Sequence, residues 1–434
     1  MIKLARTTNR MRGTIALLIA TLVALHCFSL YWRAPYLEFH IYYDANHLGE
    51  ALAMVVGFSL IGLLFVFGEF SFGYFVGFSA YLLIIGYLWL SAFSDFTYDH
   101  RSAQISAVAS GAAFLLPSVL IRSPLPRTFA LSEKAYSRLL FAILAVTFAT
   151  LIAGAQYNFN FASLRSIALL RDELKFPTLL AYVIPILSTT LLPFAFACFV
   201  MRGALLPASL SLLFLFMFYA ITLTKLTLFA PFWLIFIFLL SRSFDCRISM
   251  ILALLVPLIA GTAMLVLAPQ HAAYSQIINL RMFAIPSNAL DYYNHFFAHH
   301  PLTHFCQIWL LKPILTCPYD APLSIIMKRA YDAGNMNASL FATEGVASVG
   351  IKLAPLAALA GGLVMALGNC ASARLPARFV LTSSALLPQV LTNVPLSTTL
   401  LTNGMALVFM LWYLMPEEFL RLGSPPARQV PSAQ

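Results

Sequence analysis

A dozen apolar runs follow one another through this chain, each close to the roughly 20 residues a helix needs to cross a bilayer. Backbone groups in hydrocarbon must be hydrogen-bonded within the protein, so such a sequence folds as a bundle of membrane helices. The runs lie near 12–31, 50–68, 73–92, 104–121, 138–154, 178–200, 204–222, 226–241, 248–267, 347–368, 379–395 and 398–415. With 61% hydrophobic and 10% charged residues, a water-soluble globule is excluded. The expected fold class is an all-α polytopic membrane protein of about 12 transmembrane helices, with residues 1–434 as a single transmembrane domain. Pro117, Pro185, Pro193 and Pro231 fall inside runs, where a bundle can re-satisfy the freed carbonyls.

The net charge of +10 would suit nucleic acid if it were concentrated, but the basic residues are scattered between apolar runs. Membrane lipid and orientation explain them, and no nucleic-acid partner is expected. Placing the N-terminus in the cytoplasm puts fifteen of the 26 Lys and Arg in short inner loops and tails, among them Arg122, Arg127, Arg202, Arg242 and Arg374. The positive-inside rule then sets both termini inside. The first run continues to Tyr31 and Trp32 without a small-residue cleavage site, so it reads as a retained helix and not a removable leader. No internal repeat of the kind common in transporters is evident.

Chemistry is expected where polar residues collect. The large outer loop, 268–346, holds five of the nine histidines (His271, His295, His299, His300, His304). Within it Pro286 and Ser287 predict a helix start and Pro301 its end. Tyr292 and Tyr293 on this helix are either an interface belt or stacking platforms for sugar rings. His295 and His299 share a helical face, a spacing also used for zinc, but Pro301 interrupts the pattern and neither HExxH nor a cysteine motif accompanies it. No metal or other cofactor is therefore expected, and acid–base or hydrogen-bonding roles are preferred. Further on, Lys328, Arg329, Asn335, Asn337 and Glu344 would suit an anionic, hydroxyl-rich substrate. Of the six cysteines only Cys306 and Cys317 would face outward, either as a disulfide or as two free thiols.

A second polar segment, 156–177, reads as an outer amphipathic helix with Ile167, Leu170 and Leu174 on its apolar stripe and Arg171 and Lys175 along one border. These cations would lie at headgroup depth, on lipid phosphates or on a lipid-linked substrate. Thr222-Leu223-Thr224-Lys225 predicts a tight hairpin whose lysine is an interface anchor or an anion ligand.

SLRSIALLRDEL, YAITLTKLTLFAP, RMFAIPSNALDYYNHFFAHHP and NMNASLFATEGVASVG occur in this order over roughly residues 160–355. In that order the chain resembles the bacterial O-antigen and oligosaccharide repeat-unit polymerases, the Wzy-type integral membrane glycosyltransferases. The resemblance implies a GT-C-like membrane glycosyltransferase fold in the inner membrane, with the active site under an extracytoplasmic loop. The implied reaction polymerises oligosaccharide repeat units linked to undecaprenyl pyrophosphate, without metal, and a chain-length regulator is an implied partner. By motif position Arg281 and Arg171 would stabilise the departing pyrophosphate, Lys225 would fill the basic place in the hairpin, and His299, Asp291 or Glu344 would take the acceptor proton. An O-antigen ligase shares the same general plan. A lipid-linked oligosaccharide flippase would instead place its charges within the spans.

Overall fold

A computed structural model describes residues 2–33, 40–163, 170, 174–268, 276–308, 310–332, 336–416 and 419. Among these, ten helices are long and apolar enough to cross a membrane. They coincide with the first ten runs read from the sequence. The chain is a helical membrane protein of many passes, and it divides into two compact units.

The first unit comprises Met1–Ser123, Leu240–Cys370 and Leu387–Thr399. Its long helices are α1 (Ile2–Arg33), α2 (Ala45–Phe67), α3 (Phe72–Ser91), α4 (His100–Leu120), α9 (Cys246–Leu267) and most of α12 (Phe341–Ser372). The central element is α3, whose sequence is apolar on every side, as an enclosed helix requires. Ser71 caps it by accepting from the Tyr74 amide at 3.1 Å, and Asp99 caps α4 by accepting from the Ser102 amide at 3.0 Å. Around α3 pack α1, α2, α4, the short α14 (Leu387–Asn393) and α10 (Ile285–His299).

The packing of α10 on α3 changes the meaning of the polar segment. Gly86 of α3 permits it, because a Cβ there would lie 2.2 Å from Ser287 Oγ and 2.7 Å from His26 Nε2. The predicted helix between Pro286 and Pro301 is present, but it does not start at Ser287. A π-helical stretch, Gln276–Ala284, runs directly into it, and Ser287 Oγ donates to the Phe283 carbonyl at 2.9 Å instead of capping a free end. Farther along, Thr303 and His304 donate backbone N–H groups to Ala347 and Ser348 carbonyls, and Cys306 and Cys317 form a disulfide with Cα atoms 5.2 Å apart. α11 (Leu323–Tyr331) completes the segment. Gly350, at φ +74°, kinks the start of α12 in a conformation that excludes most side chains.

The second unit comprises Pro124–Leu239, Ala371–Leu386 and Leu400–Gln434. It contains α5 (Glu133–Ala155), α6 (Thr178–Met201), α7 (Leu205–Thr222), most of α8 (Lys225–Ser243), α13 (Ala377–Ser383) and α16 (Met405–Leu414). A π-turn at Leu187–Leu191 follows Pro185, where the helix must accommodate a missing amide donor. The exposed Phe141, Val146, Phe148 and Ile152 make an apolar face on α5, suited to lipid. The two last predicted runs are broken: 379–395 contains part of α13 and all of α14, and 398–415 contains part of α15 (Leu396–Leu401) and α16. Pro388, Pro395 and Gly404, the last at φ +80°, account for the division.

Candidate functional site

The site is built on the first unit, where the α3–α4 connection meets α10 and the residues preceding α2. An isolated β-bridge pairs Ile41 with Ser94. Tyr42 donates its amide to Phe93 O at 2.8 Å, and Asp95 donates its amide to His40 O at 3.0 Å. The bridge sets the His40 and Asp95 side chains together, with Nδ1 to Oδ1 at 3.1 Å.

Underneath, Asp291 of α10 is wholly buried. It accepts from Ser94 Oγ at 2.6 Å and from the Tyr98 hydroxyl. Tyr98 is 3.4 Å from the Tyr87 hydroxyl, which accepts from Asn294 Nδ2 at 3.1 Å. Burial raises the Asp291 carboxyl above its ordinary range, against the opposing effect of the two hydrogen-bond donors. Burial likewise raises the Tyr98 phenol well above its usual value. Phe96 lies between the two residues that Asp291 holds, so its position is fixed from below.

The Phe96 ring is 4.4 Å from the His295 ring, nearly parallel at 15°, and 4.4 Å from the His40 ring. His295 Nδ1 lies 2.6 Å from the Tyr331 hydroxyl of α11. Desolvation first, and then the neighbouring His299, His40 and His300, lower the His295 pKa, favouring the neutral ring. His299 is exposed, its Nδ1 3.0 Å from the His295 carbonyl; His300 Nδ1 lies 2.8 Å from the Phe296 carbonyl. Both imidazoles satisfy terminal carbonyls of α10 and suit its negative end. A carbonyl accepts only from a protonated Nδ1, so in the neutral form of either ring Nε2 carries the free lone pair.

The expected site residues divide sharply. Tyr292 and Tyr293 are each only 1% exposed, so their rings present no open face to a sugar and serve instead as packing. Tyr292, for example, meets Tyr331 edge-on at 4.8 Å. Asp291 is equally enclosed and its carboxylate holds the neighbouring loop. Glu344 is half-buried, with Oε1 accepting from Ser397 N and Oγ, both at 2.9 Å, and Oε2 from Thr343 Oγ1 at 2.5 Å. These bonds occupy the carboxylate in joining α12 to α15. Arg281 is exposed on the π-helical stretch, and Asn337 is exposed. Lys328 is half-buried on the last turn of α11, and Arg329 beside it pairs with Asp320 at 3.3 Å. Both partners in that pair are exposed, so its stabilising contribution is small. His304 lies beyond the end of α10 at φ +48°, so it does not continue the helical face of His300. Among the described residues no three His, Cys, Asp or Glu side chains come together to hold a metal.

In the second unit the predicted hairpin is present: α7 ends at Thr222, Leu223 is left-handed at φ +49°, and α8 begins at Lys225, which is half-buried. Leu170 and Leu174, two members of the predicted apolar stripe, pack against Tyr219 and Leu223, and Lys175 is exposed. Leu170 and Leu174 thus lie against the C-terminal end of α7. Arg171, Asn335 and His271 lie outside the described residues.

The sequence reading did not single out His40, Asp95, Phe96, Tyr98 or Tyr331. HIYYDANH and SDFTYDH carried the signal, as the polar connections after the first and third apolar runs, which the alternation of spans places on the same side as the large loop. No family model, no curated protein and no solved structure matches this chain.

Proposed function

We propose that the chain is a membrane glycosyltransferase that polymerises oligosaccharide repeat units carried on undecaprenyl pyrophosphate, at the periplasmic face of a bacterial inner membrane. The observation that carries this reading is the ordered cluster of imidazole, phenol and phenyl rings formed by His40, Phe96, His295, His299 and Tyr331, the last three from the polar segment that also carries Arg281, Lys328 and Arg329. Such groups suit a ligand with hydroxyls at one end and phosphates at the other. The π-helical stretch carrying Arg281 is a distortion frequent at functional sites, which supports the same reading.

In the transfer, the acceptor hydroxyl forms a bond to the donor sugar's anomeric carbon as that carbon's bond to pyrophosphate breaks. Negative charge develops on the departing pyrophosphate, where fixed guanidinium and ammonium groups stabilise it. Arg281 fills that role. The lipid carrier activates the donor, so no nucleotide site is needed.

The test is deletion of the gene in its host, followed by separation of surface glycolipids by size. Cores carrying at most one repeat are expected. Polymer accumulating on the lipid carrier would identify a ligase, and repeat units retained in the cytoplasm a flippase.

A further inference from the structure

We infer that His40 is the general base of this transfer and that Asp95 is its positioning residue, an assignment that rests on the polymerase reading above. The pair has the geometry of a carboxylate-oriented imidazole. His40 Nδ1 lies 3.1 Å from Asp95 Oδ1; a carboxylate oxygen faces a protonated nitrogen best, so this contact favours the Nδ1-protonated tautomer and leaves the Nε2 lone pair to accept a proton. Both side chains are 45% exposed, so an incoming hydroxyl can reach the ring. An ion pair this exposed adds little to stability, and the backbone bridge already joins the two segments without it.

The framework around the pair is unusually well determined for a surface loop. The Asp95 amide is held by His40 O, and residues on either side of Asp95 and Phe96 are clamped by the buried Asp291. Asp291 and Glu344, two of the four carboxylates on the large polar segment, are engaged in structural bonds, and a third, Asp320, pairs with Arg329, whereas His299 Nδ1 faces a backbone carbonyl and not a carboxylate. His40 therefore combines access with an oriented, charge-supported nitrogen. The titratable groups facing it are Asp95 across the bridge, Tyr292 and His295 from α10, and, one layer farther, His299 and Tyr331.

As the acceptor oxygen bonds to the anomeric carbon, its proton passes to His40 Nε2. The electron pair of the breaking carbon–oxygen bond leaves with undecaprenyl pyrophosphate, and the imidazolium then returns its proton to solvent. No further reactant is required.

The experiment uses the full-length protein in lipid nanodiscs with lipid-linked repeat units, following polymer formation against pH for wild type, His40→Gln and Asp95→Asn. Wild type should lose rate as pH falls and the imidazole is protonated. His40→Gln should lower the rate by about 10²–10⁴-fold and remove this acidic limb. Asp95→Asn, nearly isosteric, should lower the maximal rate while leaving the half-saturating substrate concentration unchanged, because the ring loses its orienting carboxylate and no ligand contact. Gel filtration and thermal unfolding of each variant identify loss of fold, and Asp95→Asn supplies the rate comparison should His40→Gln misfold. A folded Asp95→Asn or a folded His40→Gln with wild-type rate overturns the base assignment alone. A folded wild type that forms no polymer overturns the polymerase reading and this assignment with it.

Discussion

Tyr98 donates its hydroxyl to the buried carboxylate of Asp291, tying the α3–α4 connection to a helix 193 residues later in the chain. Ser94 donates to the other carboxylate oxygen, so removing Asp291 leaves two hydroxyls without their acceptor. Each such loss costs about 1–3 kcal/mol. Asp291→Ala should therefore lower the thermal unfolding temperature of the purified protein markedly, and Asp291→Asn, which keeps an acceptor oxygen, much less. Equal losses in the two variants would show that the hydrogen bonds are not what matters.

The same carboxyl gives a pH dependence with a defined sign. Burial raises the Asp291 pKa above its usual 3.8, so the native state holds this proton more tightly than the unfolded chain does. Its contribution to stability is complete below the ordinary carboxyl range and is lost as pH rises through the raised native value. Unfolding measured over that window should show stability falling with pH in wild type, and Asp291→Asn should remove that component of the slope.

Gly86 faces Ser287 at a separation that admits no Cβ. Gly86→Ala should move α10 away from α3 and cost on the order of 1–3 kcal/mol. Ser287→Ala in the same chain should recover part of the loss, since it removes the 2.2 Å clash with Oγ but leaves Ser287 Cβ at 2.8 Å and His26 Nε2 at 2.7 Å. Additive effects of the two substitutions in a double-mutant comparison would rule out this contact as the cause.

The parts of the fold that were legible in the sequence are those governed by local periodicity and length. Ten apolar runs became helices, Lys225 opens the helix after a two-residue turn, and a helix lies between Pro286 and Pro301. The burial of that helix was not legible. Asn294 and Asp291 are held by Tyr87 and Tyr98, which lie 207 and 193 residues away in the chain, and no local pattern reveals such pairing. His40 and Asp95 were hidden for the same reason, because they become neighbours only through the bridge between Ile41 and Ser94. The helix breaks within the last two apolar runs were not legible, because hydropathy averages over Pro388, Pro395 and Gly404, which act one residue at a time.

Chelation separates the two uses of the histidines. His295 Nδ1 is engaged with Tyr331, and His299 Nδ1 with a backbone carbonyl. Polymer formation by the purified protein should therefore persist in EDTA. Activity abolished by EDTA and restored by zinc would require these rings to rearrange around a metal.

Arg281 tests the leaving-group step most directly. It is exposed on the π-helical stretch, and its substitution to alanine removes charge without opening a cavity in the core. Arg281→Ala should abolish polymer in cells while the protein remains in the membrane at wild-type amounts. Arg281→Lys should restore little if two guanidinium N–H groups grip phosphate oxygens together, because an ammonium offers a point charge without that planar fork. Recovery of full chain length by lysine would reduce the role to charge alone, and full chain length in the alanine variant would remove Arg281 from the mechanism. Comparing surface glycolipid size with the amount of protein in the membrane separates these outcomes from a failure to insert.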